Sequence, residues 1–205
     1  MATETTPYKK TDKTITYLNR QHGRMFRKAA VFDALNIIDI SHEIYDEAYA
    51  LAEQEAVRLV ESVYGTYHRS EPTEGAFDPV SFVLALVLAY NPVTKYVFKN
   101  EIDRKRARFA ESMLASNTPA EEIARAKRLL AATNAQFMDD VTFDTLIQAY
   151  RDNDTEKVQW VTAVDDRRCK QCAALHGKIF PIDKIPPKPH IHCRCWVREV
   201  RKTDA

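Results

Sequence analysis

The sequence predicts an α+β protein: a mainly α-helical N-terminal body, residues 1–155, followed by a small Cys/His-rich β module, residues 156–205. Three observations carry this. Apolar residues recur at helical spacing through most of the first 150 residues or so, and then give way to alternation. There are only four glycines in 205 residues, too few for a turn-rich all-β chain. All four cysteines and three of the six histidines fall between Asp165 and Trp196.

In chain order, Met1 to Asp12 is polar, without the apolar core of a secretory signal, and reads as a flexible arm. Met25, Ala29, Phe32, Leu35 and Ile38 then mark a helix over 24–40, with Ser41 as the N-cap of the next. Ile44, Ala48, Leu51, Glu55, Leu59 and Ser62 share one line, beside Tyr45, Ala52, Ala56, Val60, Val63 and Tyr67. That is an amphipathic helix of about seven turns, on the order of 40 Å at 1.5 Å per residue, of the kind found in bundles first and at assembly interfaces second. Residues 70–78 are a loop by composition. Asp78-Pro79 and Asn91-Pro92 each offer an N-cap followed by proline at the first helical position. The first opens a helix from Val80 to Ala89 that is apolar all round and so expected at the centre of the core. The second opens a helix through Glu101 and Arg108 to about Ser116. Thr118-Pro119-Ala120-Glu121 has the spacing of a capping box and starts a helix past Leu130 to Phe137, continuing or restarting through Phe143 and Tyr150.

Beyond Asp152 the period changes to two. Val158, Trp160, Thr162 and Val164 alternate as a strand does, and Lys178–Ile182 and Cys195–Val200 are the other strand candidates. From Glu156 onward there are 11 Lys or Arg against 6 Asp or Glu, a balance of +5, while the whole chain is +1, so the helical part carries −4. The asymmetry points the module toward an anionic partner. Phe82 to Tyr90, the longest apolar run, is far short of the roughly 20 residues a membrane span needs.

The chemistry is concentrated in the module. Cys169 and Cys172 form a C-x2-C pair, Cys193 and Cys195 a C-x-C pair, with His190 and His192 just before it. A C-x2-C turn brings two sulfurs to one side of a small cation, and zinc takes four such ligands tetrahedrally. Disulfides or a ligand-free cluster of reduced cysteines are the competing readings of the same residues. Five candidates, Cys169, Cys172, His190, Cys193 and Cys195, compete for four places, with His192 as a further competitor. Cys193 and Cys195 would face opposite ways in a regular strand, leaving one of them outside the metal shell unless the chain turns there. His176 is a weaker candidate, and His22, His42 and His68 read as surface residues. The run Asp103-Arg104-Lys105-Arg106-Ala107-Arg108 reads first as a solvated helix face and second as a set of phosphate contacts. No Ser-His-Asp set, phosphate-binding glycine loop or H-E-x-x-H helix is present.

The run Trp160, Thr162, Asp165, Arg168, Cys169, Cys172, Gly177, Phe180, Pro186-Pro187, His190 and Cys193-Arg194-Cys195 resembles the C-terminal domain of the phage Mu F-like family of minor head, or head morphogenesis, proteins of tailed bacteriophages. The family's usual His-Pro-x-Cys-Arg-Cys reads here with Ile191 in place of the proline and His192 at the variable place. The resemblance implies a structural virion protein that docks on the portal or inner capsid during head assembly. Portal or capsid proteins would be its partners, in several copies per particle, after assembly in the host cytoplasm. Its Zn2+ would be structural, one per chain, and not catalytic, since a closed site of four protein ligands leaves no place for water. Asp165 and Arg168 would brace the cysteine loop, and Trp160 would cover the metal site. The alternative class is a zinc-dependent module that binds packaged double-stranded DNA through its basic surface, or a metal nuclease using His190 or His192.

Overall fold

Helix α1 spans Tyr8–Met25, so residues 8–12 are the first turn of a helix and not part of an arm. The computed structural model describes residues 6–31, 35–69, 77–162 and 169–200. The face α1 buries is Tyr8, Thr11, Leu18, His22 and Met25, a helical line in which three of five members are polar. Those polar groups are used inward: the Tyr8 hydroxyl donates to the Cys195 carbonyl at 2.8 Å, and Thr11 and Thr142 share a hydroxyl bond of 2.7 Å. His22, expected at the surface, is 2 % exposed, with Nε2 3.0 Å from Asn134 Nδ2.

The helix expected over 24–40 is absent among the described residues. The chain turns through a short 3-10 segment, Lys28–Ala30, and α2 begins at Ile37 and runs to Tyr67. Ser41 thus lies inside α2, its hydroxyl donating back to the Ile38 carbonyl at 2.8 Å. Phe32 lies outside the described residues. Most of the line read from the sequence is the buried face of α2, Ile44, Tyr45, Ala48, Ala52, Glu55, Ala56, Leu59, Val60 and Val63, while Leu51 and Tyr67 are half-buried and Ser62 is exposed. The helix packs on α1, on α3 (Pro79–Leu88), on α4 (Phe98–Ala115) and on α5 (Pro119–Asp152).

Asp78 caps α3 as the sequence predicts, its carboxylate accepting from Val80 N and Ser81 N at 3.1 Å each. The helix it starts is not buried all round. Only Val83 and Val87 are enclosed, while Val80, Leu84 and Leu88 stay at least 45 % exposed. Asn91-Pro92 opens no helix. Tyr90–Asn91 (β1) and Tyr96–Val97 (β2) pair antiparallel around a turn in which Asn91 Oδ1 accepts from Val93 N and Thr94 N. Those are the bonds an N-cap makes, and here Lys95, at φ 61°, bends the chain back instead. The capping box is also not formed: Thr118 makes no side-chain bond to the first turn of α5, which then runs unbroken for 34 residues.

Three short strands follow, β3 (Lys157–Val161), β4 (Ile179–Pro181) and β5 (Trp196–Glu199), in the antiparallel order β4-β3-β5 with Trp160 opposite Val197. One apolar cluster lies between α1, α2, α4 and the first two thirds of α5. A second joins the end of α5 (Phe143, Leu146, Ile147, Tyr150) to Val158, Trp160, Val197 and three of the cysteines. No described helix is long and apolar enough to cross a membrane.

The burial of His22 has a pH consequence. Desolvation lowers its folded pKa to about 4 from an ordinary 6.5, so between those values the unfolded chain binds a proton that the folded chain refuses. Stability from this residue is complete above about pH 6.5 and is lost as pH falls toward 4, by about 3 kcal/mol. Wild type should lose stability relative to His22→Gln across that window, measured by urea unfolding at each pH. Parallel pH profiles would refute the assignment.

Candidate metal centre

The first half-site is a helix start. Cys169 is the N-cap of α6 (Lys170–Leu175), and its sulfur accepts from Cys172 N at 3.3 Å. An N-cap places its side chain over the open amides of the first turn, so Cys169 and Cys172 turn their sulfurs to the same end of the helix. The second half-site is a bend. His192, at φ 54°, breaks any strand before Cys193, and β5 begins only at Trp196. With no regular pleat at 193–195, both cysteines of the C-x-C pair point inward: Cys193 is fully buried and Cys195 is 2 % exposed.

The five candidate residues therefore converge. Cys169, Cys172 and His190 bring their ligand atoms within 4.8 Å of one another, and so do Cys172, Cys193 and Cys195; Cys172 belongs to both groups. Cys172 Sγ lies 3.1 Å from His190 Nε2 and 3.6 Å from Cys193 Sγ. The sulfur–sulfur distance is close to the edge, roughly 3.8 Å, of a tetrahedron with 2.3 Å bonds. No disulfide links these cysteines. His190 Nδ1 lies 2.8 Å from the Ile191 carbonyl, which fixes the proton on Nδ1 and leaves Nε2 as a lone-pair donor aimed at the sulfurs. Ligating imidazoles are ordinarily held this way.

The charges follow the geometry. The Cys172 amide on its sulfur draws Cys169 below the ordinary thiol range, whereas burial pushes Cys172 up. Cys193 is drawn down because the Cys195 thiol donates to it, and Cys195 is pushed up by the same bond. The Trp160 indole N–H is buried without a hydrogen bond of ordinary geometry and is directed at Cys195. A cluster of four soft sulfur donors and one imidazole, with two of the four thiols drawn toward ionisation, can hold a divalent cation of the zinc type.

Other sequence candidates are placed elsewhere. His176 Nδ1 accepts from Thr162 N at 3.2 Å and closes the β3 end, with Gly177 next to it at φ 77°. His192 gives its backbone N–H to Gln136. Asp165 and Arg168 lie outside the described residues. What the sequence reading missed is Lys188, 4 % exposed, which sits between the rings of Tyr8 and Phe143 and donates to the Asp139 carbonyl at 2.9 Å. One charge of the module's basic excess is thus spent inside the protein.

The family model described as Phage Mu protein F like protein matches residues 98–198, from the first residue of α4 almost to the end of β5. The match takes in two long helices that carry none of the motif residues. No curated protein and no solved structure gives a significant match.

Proposed function

We propose, from the membership of residues 98–198 in the phage Mu F-like family, that this chain is a structural protein of phage head morphogenesis, a virion component that docks at the portal or inner capsid. The observation that carries the reading within the molecule is the enclosure of the Cys/His cluster. Cys172, Cys193 and Cys195 are at most 4 % exposed and back onto Trp160 and α5, with Cys169 and His190 half-buried at the rim, and four protein ligands drawn from this set fill a tetrahedral shell with no exchangeable position. Such a site staples a fold. That favours a structural role over a metal nuclease, which needs an exchangeable position on the metal. Zinc would be held by Cys169, Cys172, His190 and Cys193. Cys195 would then lie behind the shell, its sulfur within 4.8 Å of those of Cys172 and Cys193.

The purified chain should carry about one zinc, measured by elemental analysis of protein prepared without added metal. His190→Ala should lose the metal, and Cys195→Ala should keep it at a cost of about 1 kcal/mol. The reverse pair of results would make the four cysteines the ligand set. Locating the chain by cryo-electron microscopy of an intact particle tests the role itself; a position outside the head and portal would overturn it.

A further inference from the structure

The basic run of α4 is divided by its partners. Glu101 holds both Arg104, at 2.6 Å, and Lys105, at 2.8 Å, and Arg106 reaches Asp46 at 2.8 Å. Arg108 is exposed and has no carboxylate partner among the described residues. Arg104, Lys105 and Arg108 lie along one side of α4, at the edge of a cavity of about 260 Å³ closed by Glu122 and Arg125 of α5. Four cations stand there against two carboxylates, Glu101 and Glu122, which leaves two positive charges. At the floor is Tyr45 of α2, 1 % exposed, its ring packed on Phe26 and Phe109 at 5.9 and 6.0 Å. Tyr45 lines the cavity, and its hydroxyl has no hydrogen-bond partner among the described residues. The ring is buried, while the hydroxyl is not among the fully enclosed unpaired polar atoms and so opens into the cavity, where it is placed to donate to a ligand.

We infer that this cavity is an anion site that takes a phosphate group, with the Tyr45 hydroxyl donating from the floor, the Arg108 guanidinium from the rim, and Arg125, whose Nε and one Nη are held by Glu122, offering its remaining Nη. Burial raises the Tyr45 pKa, so the phenol is a donor at any physiological pH. Guanidinium forks match phosphate oxygens better than ammonium groups do. The volume is below the roughly 300–1,000 Å³ of sites for drug-sized ligands, which suits a phosphate and the atoms next to it. The group can arrive as a free phosphate monoester or as one phosphodiester of a DNA backbone. The inference is independent of the metal, being built wholly on α2, α4 and α5.

Calorimetric titration of the zinc-loaded full chain with inorganic phosphate, and separately with a short DNA duplex, decides it. Tyr45→Phe removes one oxygen and keeps the ring, so the fold should stand while phosphate affinity falls about tenfold or more. Arg108→Gln should weaken phosphate similarly, and Lys28→Gln, whose ammonium is paired with Glu43 and Glu47 outside the cavity, should change nothing. Duplex binding that phosphate competes away, with a salt slope reduced by about one in Arg108→Gln, assigns the group to a DNA backbone. Phosphate binding with the duplex excluded assigns it to a free monoester. No phosphate binding, or wild-type affinity in Tyr45→Phe, overturns the site. The zinc content of each variant, measured alongside, separates failure of the anion site from failure of the metal reading.

Discussion

Cys172→Ala should release the metal and unfold the C-terminal module. Cys172 is common to both groups of converging ligands, so it joins the two half-sites whichever of the other candidates complete the shell. Apparent binding free energies of structural zinc are about 10 kcal/mol or more in zinc-finger peptides, and much of that is folding free energy. The loss is comparable with the whole stability of an ordinary domain, about 5–15 kcal/mol. A three-stranded sheet of five, three and four residues has little of its own to set against it. The helices should persist, because the cluster between α1, α2, α4 and α5 contains no residue beyond Val141. The chain's two tryptophans, Trp160 and Trp196, are both in the module, which makes the test direct. Their fluorescence should shift to the red while the far-ultraviolet helical signal stays nearly intact. Zinc retained at full stoichiometry in this variant, or helices lost together with the tryptophan signal, would contradict this role for Cys172.

The parts of this molecule legible in the sequence are those where one local rule acts without competition. Glu55 and Ser62 apart, the α2 line from Ile44 to Val63 is apolar at one period, and all of it but Leu51 and Ser62 lies on the buried face. The strand beginning at Lys157 and the convergence of the two cysteine pairs were legible for the same reason. The failures have physical causes. The buried line of α1 is hidden because Tyr8, Thr11 and His22 bury polar atoms against named partners, which an apolar count cannot register. Asn91-Pro92 misleads because a turn and an N-cap use the same two bonds from one asparagine oxygen. Which of them forms is settled further along the chain, at Lys95. Opposite faces for Cys193 and Cys195 assumed a pleat that His192 interrupts. Nor could the anion site be read from the basic run alone. Which of its cations is left over depends on Asp46, and its floor on Tyr45, both from a helix some sixty residues earlier.

Trp160→Ala should cost about 3–5 kcal/mol, the usual range for removing a fully enclosed aromatic side chain. Trp160 is completely buried, with the Phe143 ring of α5 at 5.7 Å and the Phe180 ring of β4 at 6.3 Å. It is therefore the contact through which α5, the central strand and the cysteine cluster share one core. Its backbone stays in place by other means, since its N–H donates to the Lys178 carbonyl and its carbonyl accepts from Gly177. The expected phenotype is a module that is weakened but still metallated, because no ligand atom has been removed. Trp160→Phe should lose far less, keeping most of the contact while withdrawing the N–H from Cys195. Urea unfolding followed by circular dichroism, with zinc measured on the same samples, separates the two roles. If Trp160→Ala discharges zinc as completely as Cys172→Ala does, the indole holds the ligand geometry itself and is more than a cover over it.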